Sequence, residues 1–410
     1  MKRVVVTGMA GVSPIGSDWQ SIRSNLKTGK TGIIRIDAWD AYEGLNTRLA
    51  APVTDFRMPA HYTRKALRSM GRVAQLGVYS TELALADAGL LGVEELGQGQ
   101  VGIAFGSSAG DTRAFVEFGN MLMNCSSDGL NANSYIKMMA HTAPVNIGVY
   151  FGIRGRIITT SSACTSSSQG IGYAYEAIKY GLQKVMVAGG SEGLCPTEAA
   201  VFDTLYATSV MNDSPSHSPR PFDRDRDGLV IGEGGCSLIL EELEHAKARG
   251  AKIYAEVVGF GTNSDGRHVT QPSVDTMEAA IRLALDDARL PASEVGYISA
   301  HGTATDRGDI AESHATAAVF GDKVPISSLK SFTGHTLGGC GSLEAWTSIE
   351  MMNEGWFTAT ANLENVAPDC ADLDYIMYEG REIDTEFIMS NNFAFGGINT
   401  SLIFRRWNHA

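Results

Sequence analysis

"LALADAGL", Leu83 to Leu90, and "LALDDARL", Leu283 to Leu290, are near-copies in distant parts of the chain. Each is followed by a strand-like segment that opens with Val-Gly: "VGIAFGSSAG" from Val101 and "VGYISAHGTA" from Val295. Two helix–strand units in the same order predict a duplicated fold of two similar halves; a chance match of alanine-rich helices is the competing explanation.

Around these units, strand and helix signals alternate with short glycine-rich connections, which predicts an α/β architecture with buried sheets. "VVVTG", "KVMVAGG", "SLILEE", "IYAEVVGFG" and "SLIFR" read as further strands. Trp19, Ile22 and Leu26 mark a helix expected to start at a Ser17 cap, and Val73, Leu76, Leu83 and Ala84 mark another before Gly89. A third runs from Asp275 through Met277, Ile281, Ala284 and Leu285 to Ala288.

The 410 residues, 44% hydrophobic and 19% charged, suffice for a large core. A formal charge of −13 argues against nucleic-acid binding, which needs a basic surface. Any acidic partner must meet a local basic patch. The candidate is "TRKALR", where Arg64, Lys65 and Arg68 have helical spacing; a solvated helix face explains it equally well. The opening valine run is too short for an export signal and no apolar run approaches a membrane span, so no membrane insertion and a cytoplasmic location are expected. There the six cysteines would be reduced, and none has the spacing of a zinc site.

"MNDSPSHSPRPFDRDRDG" is the most loop-like stretch. Its "DRDRDG", Asp223 to Gly228, begins like a calcium loop, but the twelfth position is Gly234 rather than glutamate, so a salt-bridged turn is expected. There is no phosphate-cradling or dinucleotide glycine motif.

"TTSSACTSSSQGIG", Thr159 to Gly172, surrounds Cys164 with hydroxyl residues, and Ile171, Ala174, Tyr175 and Ile178 then recur at helical spacing. The thiol therefore sits near a helix start, where the dipole and free N–H groups are expected to lower its pKa. Small neighbours suit a nucleophile on a sharp strand-to-helix turn, although a buried structural cysteine fits the stretch alone. "SAHGTATDRGD" puts His301 at a strand end, and "SLKSFTGHTLGGCGSLEA" supplies Lys330 and His335 in a glycine-rich turn. Two histidines and a lysine in small-residue loops point to a site.

These motifs, with "RPFDRDRDGLVIGEG", "YAEVVGFGTNSDG" and "NNFAFGGINTSLIF", resemble those of the β-ketoacyl-acyl carrier protein synthases over nearly the whole chain. The resemblance implies a thiolase-like fold, two halves in a five-layered αβαβα arrangement, with 1–250 carrying the cysteine and 251–410 the histidines and lysine. By the same resemblance Cys164 is the nucleophile, the backbone N–H groups of Cys164 and Phe395 form an oxyanion hole, and His301 and His335 donate N–H groups to an enolate. Lys330 orients His301 or holds its environment, while Asp309 and Glu312 give structural support. Ala109 corresponds to an acyl-pocket position shared across a dimer, Phe202 and Phe395 to gating phenylalanines, and Arg64, Lys65 and Arg68 to carrier-contacting positions.

No metal or cofactor is implied, because acyl groups arrive on the phosphopantetheine of acyl carrier protein. The implied reaction is decarboxylative condensation with malonyl carrier in fatty-acid elongation, by a homodimer. A ketosynthase of a specialised pathway, such as aryl polyene or type II polyketide assembly with a chain-length partner, is the alternative, and a non-catalytic partner subunit is a third. Two departures from the family pattern stand out. Ala394 and Ile398 replace a glycine and a threonine, and the β-carbon of Ala394 is expected to restrict positive φ and stiffen the gating loop. Cys340, where many members carry alanine, reads as an inert core thiol.

Overall fold

The computed structural model describes residues 1–54 and 56–408. Eleven strands form the main sheet: β1 (Val4–Val12), β2 (Val101–Gly106), β3 (Ile157–Thr159), β4 (Val185–Glu192), β5 (Gly234–Glu242), β6 (Ala255–Ser264), β7 (Val295–Ser299), β8 (Pro325–Ser327), β9 (Asp374–Tyr375), β10 (Phe387–Ala394) and β11 (Ile398–Arg406). The helices that matter to the site are α1 (Trp19–Thr28), α2 (Arg64–Leu67), α3 (Arg72–Asp87), α4 (Thr112–Asn124), α5 (Ala132–Met138), α6 (Thr142–Phe151), α7 (Ser166–Lys179), α8 (Pro196–Asp203), α9 (Val274–Ala288), α10 (Asp306–Phe320) and α11 (Cys340–Glu354).

The strand order is β9-β8-β7-β10-β11-β6-β1-β5-β4-β2-β3. Outward from the centre, β1-β5-β4-β2-β3 and β6-β11-β10-β7-β8 repeat one pattern: two antiparallel pairings, then two parallel ones. The two runs meet where Val4–Val6 of β1 pair antiparallel with Ala255–Val257 of β6, so they form one continuous sheet. Helices α3 and α6 cover the first run on one side, α9 covers the second, and α7 and α11 pack between the two. This is the five-layered arrangement. Strands covered on both faces need no polar alternation, which is why β2 and β4 are buried throughout.

The echoing helices pack alike. A Cβ placed on Gly8 of β1 would lie 2.4 Å from the Ala84 carbonyl oxygen, and one on Gly259 of β6 would lie 2.4 Å from that of Ala284. Ala88 and Ala288 close the same contacts. Only glycine lets the helix come this near, so the sequence repeat records one repeated packing solution.

Local details differ from expectation in two places. The cap of α1 is Asp18, not Ser17; its carboxylate accepts the Ser21 N–H at 2.8 Å. The basic stretch forms only the single turn α2, with Arg64, Lys65 and Arg68 exposed and without ion pairs among the described residues. In the acidic loop, buried Asp223 accepts N–H groups from Asp225, Glu364 and Asn365 and pairs with Arg220 at 3.2 Å, while Asp227 accepts from Val210. Those carboxylates hold the chain together rather than facing an ion.

Candidate active site

Beyond β3 the chain enters one 3-10 turn, Ala163–Thr165, that runs directly into α7. Ala163 adopts φ +50°, a left-handed conformation that a small residue tolerates and that turns the following side chain sharply. The hydroxyls around Cys164 satisfy backbone groups in this crowded bend. Ser166 accepts the Ser162 N–H and donates to the Ala163 carbonyl; Thr165 donates to the Ser162 carbonyl. Ser167 accepts the Ser342 N–H from α11, and Ser168 bonds Thr400 at 2.8 Å. The serines thus fasten the elbow to the other half.

Three loops bring the remaining groups to the thiol. His335 Nε2 lies 2.9 Å from Cys164 Sγ, and His301 stands edge-on to His335 with ring centroids 5.2 Å apart. The tautomers follow from their other nitrogens. His335 Nδ1 accepts the Leu337 N–H at 3.3 Å; His301 Nδ1 faces Lys330 Nζ at 3.1 Å and Asn392 Nδ2 at 3.3 Å. Both Nδ1 atoms are therefore acceptors, which leaves each proton on Nε2. Burial first, then the Lys330 charge, holds both imidazoles well below the usual histidine pKa, so they are neutral donors.

Lys330 is fully enclosed and ion-paired to Glu344, whose second oxygen accepts from Asn392 at 2.7 Å. Burial opposes the lysine charge, but Glu344 foremost, together with Cys340 and Glu312, outweighs it and raises the pKa. Glu312 accepts the N–H groups of His301 and Gly302, each at 2.7 Å, and Asp309 accepts those of Thr303, Ala304 and Phe222. These two carboxyls fix the loop that presents His301.

The expected lowering of the thiol pKa is reversed. Burial pushes Cys164 up to about 11, against the pull of the Phe395 N–H, the Lys330 charge and its own N–H. The helix start is present, but desolvation of the thiolate exceeds what it returns. The same two N–H groups, of Phe395 and Cys164, face the sulfur.

A cavity of about 500 Å³ opens from this cluster to the surface. Cys164, His301 and His335 lie along it with Phe202 and Phe395, whose rings meet edge-to-face at 5.2 Å. Phe395 begins the turn between β10 and β11, held where Gly396 N–H bonds the Val269 carbonyl. Ala394 ends β10, paired with Ile398, and the positive-φ residues are Gly396 and Gly397. The expected strain at Ala394 is therefore absent. Ala109 does not line the cavity; it follows β2 on the α4 side, where its N–H turns to Glu192.

Cys340 is a buried thiol whose pKa burial raises, in keeping with an inert core residue. Its thiol donates to the Cys164 carbonyl at 3.2 Å and receives Asn392 Nδ2 at 3.7 Å. Glu344 and Asn392 escaped the sequence reading although both lie in motifs it singled out. An acid inside the buried face of α11 and an amide inside an apolar strand were the available signals. Glu192 and Glu198 also escaped it: each is buried with one oxygen unpartnered, and burial raises both, Glu192 to about 7.

Cys164, His301 and His335 have donor atoms within 4.8 Å of one another, as metal ligands do. Their surroundings argue otherwise. A metal at Nε2 needs a proton on Nδ1 and an acceptor beyond it, whereas both Nδ1 atoms here face donors. The trio reads instead as one thiol beside two N–H donors.

Known proteins are similar to this chain over its whole length. Residues 1–246 match the family model for the β-ketoacyl synthase N-terminal domain, and residues 254–364 match that for the C-terminal domain. The 3-oxoacyl-[acyl-carrier-protein] synthase 2 of Vibrio harveyi is 38% identical over 99% of both chains. The solved β-ketoacyl synthase of Burkholderia phymatum STM815 is 57% identical with a TM-score of 0.98, covering all of both chains. A type II polyketide ketosynthase solved with its acyl-carrier protein, and bound to the hexaketide, is 30% identical with a TM-score of 0.87, over 99% of this chain and 100% of that one. Matches to both domain models and to full-length relatives thus agree: the chain belongs to the β-ketoacyl synthase family of condensing enzymes.

Proposed function

We propose that this enzyme extends acyl chains by decarboxylative condensation. Cys164 takes the acyl group from acyl carrier protein, forming a thioester and releasing the carrier thiol. Malonyl carrier then loses CO2; the enolate carbon attacks the acyl-cysteine, the Cys164 sulfur leaves, and β-ketoacyl carrier is released. The observation that carries this reading is the pair of neutral Nε2–H groups beside the thiol. An enolate oxygen needs donors that do not protonate the reacting carbon, and neutral imidazoles meet that need. The Cys164 and Phe395 N–H groups serve the tetrahedral oxyanion. Lys330, locked to Glu344, holds His301 in its tautomer. The acyl groups arrive on phosphopantetheine, with no further cofactor in the chemistry, and the setting is cytoplasmic.

The enzyme works as a dimer. Among the described residues strand β3 ends the sheet with its outer backbone edge unpaired, and exposed Ile157, Val149, Phe115, Val116, Leu122 and Met123 lie on it and on α6 and α4. An open apolar edge of this kind invites a second strand. A second copy is the simplest occupant, and it would bring the α4 side, with Ala109, near a shared acyl pocket. Acidic carrier would meet Arg64, Lys65 and Arg68, and Lys65→Glu with Arg68→Glu should raise the carrier KM severalfold.

Elongation of saturated chains is the first reading, supported by the Vibrio harveyi relative. Likeness to a polyketide ketosynthase supports a second, a specialised pathway with a chain-length partner. Incubation with saturated and polyene acyl carriers, followed by intact mass, separates them. Saturated loading that vanishes in Cys164→Ala supports the first; polyene loading alone supports the second. Absence of any loading defeats both.

A further inference from the structure

We propose that Glu192 is a positioning residue that links the loop carrying Ala109 to the enolate-binding His335, so that the fit of the acyl chain is read when the chain is extended rather than when it is loaded. The proposal rests on the condensing reading above, in which Ala109 borders the acyl pocket. Its basis is one buried oxygen. Glu192 ends β4 with no solvent exposure, and its Oε2 accepts the Ser108 N–H at 2.7 Å and the Gly338 N–H at 3.0 Å. The Ala109 N–H turns to the same carboxyl. Oε1 has no partner among the described residues, so Oε2 carries the bridge.

The two segments that share this oxygen have no slack between them. A Cβ on Gly338 would lie 2.5 Å from the Ser108 nitrogen and 2.7 Å from the Ser107 Cα. One on Gly190, two residues before Glu192, would lie 2.4 Å from the Gly338 carbonyl oxygen. Backbone therefore meets backbone, and a shift at Ala109 is passed on to Gly338 instead of being absorbed by a side chain.

Gly338 matters because of its neighbour. Leu337 donates its N–H to His335 Nδ1 at 3.3 Å, the bond that leaves the imidazole proton on Nε2. The His335 backbone is fastened elsewhere: its N–H bonds the Val230 carbonyl at 2.7 Å, and its own carbonyl accepts the Gly232 N–H at 2.9 Å. Moving the Leu337–Gly339 turn thus changes what Nδ1 meets while the root of the ring stays in place. The step that responds is donation from Nε2 to the enolate oxygen. Loading of Cys164 forms no enolate, so it is spared.

The test is a double-variant cycle on the full chain with saturated acyl carriers of several lengths, loading read by intact mass and condensation with malonyl carrier by kcat and KM. Ala109→Leu is expected to load long acyl groups to the same extent as the unaltered protein but to extend them about tenfold more slowly. Glu192→Met removes the bridge. It is expected to lower the condensation kcat about tenfold at every chain length, with loading and the malonyl-carrier KM unchanged, and to abolish the further loss caused by Ala109→Leu. Glu192→Gln keeps one oxygen for both N–H groups and is expected to restore condensation. Additive effects of Ala109→Leu and Glu192→Met would overturn the link, and so would parallel losses of loading and condensation, the mark of a merely structural role. If Glu192→Met does not fold, Ala109→Leu decides: loading kept with extension lost supports the link, and any other result overturns it. An unaltered protein that loads acyl groups but does not extend them would overturn the condensing reading itself, and the link with it.

Discussion

His335 donates from Nε2 to the Cys164 sulfur across 2.9 Å while its Nδ1 accepts the Leu337 N–H. The donor is thus fixed by backbone, two residues along the same turn, and not by a carboxylate that could draw the ring toward the charged form. Such a ring is suited to binding a developing enolate and unsuited to acting as the base for the thiol. His335→Ala should therefore lower condensation by about 100- to 1,000-fold, the scale for losing one oxyanion donor. Acyl loading of Cys164 should fall far less. Intact mass for loading and product formation for condensation separate the two steps, and parallel losses would contradict this division.

The thiol itself should show its burial. With a pKa raised to about 11, the thiolate fraction grows about tenfold per pH unit through the neutral range. Alkylation of Cys164 by iodoacetamide, followed by peptide mass to separate it from exposed Cys125, should accelerate continuously from about pH 7 to about pH 9.5. A plateau below pH 8 would mean that the helix start and the two N–H groups outweigh desolvation after all.

These two expectations mark where sequence reasoning reached and where it stopped. The elbow was legible because a small-residue run followed by helical periodicity is a local pattern. The duplication was legible because Gly8 against Ala84 and Gly259 against Ala284 demand the same residue types. The pKa of Cys164 was not, because the helix dipole can be read from neighbours in sequence whereas burial is contributed by the whole fold. Glu344 and Asn392 are 48 residues apart and meet only when α11 lies against β10, so neither residue announces the other. Asp18 displaced Ser17 by one position, a shift that periodicity alone does not resolve.

Lys330 and Glu344 form a pair with no access to solvent. Removing one partner strands a buried charge, so Lys330→Met should destabilise the fold by about 3–5 kcal/mol. Lys330→Met combined with Glu344→Gln should recover much of that loss, because no uncompensated charge is left. Urea unfolding of the single and double variants measures the difference. Equal losses would show that the lysine acts through packing rather than through its charge.

Glu192 and Glu198 give the enzyme a calculable pH dependence. Burial raises both carboxyls, Glu192 to about 7 from an ordinary 4.5, and repulsion from Glu192, Cys195 and Glu233 raises Glu198 further. The folded protein thus holds protons that the unfolded chain has released. Stability is fully present below the unfolded pKa and is lost as pH rises through the folded values. Melting temperature should accordingly fall from about pH 5 upward, through about pH 7 for Glu192 and about pH 8 for Glu312. Glu198→Gln keeps an acceptor for the Cys195 N–H but removes the ionisation, so it should flatten that decline and melt higher than the unaltered protein at pH 9. Glu312, raised to about 8, remains and preserves part of the slope. A Glu198→Gln profile parallel to the original would show that Glu198 stays neutral throughout this range.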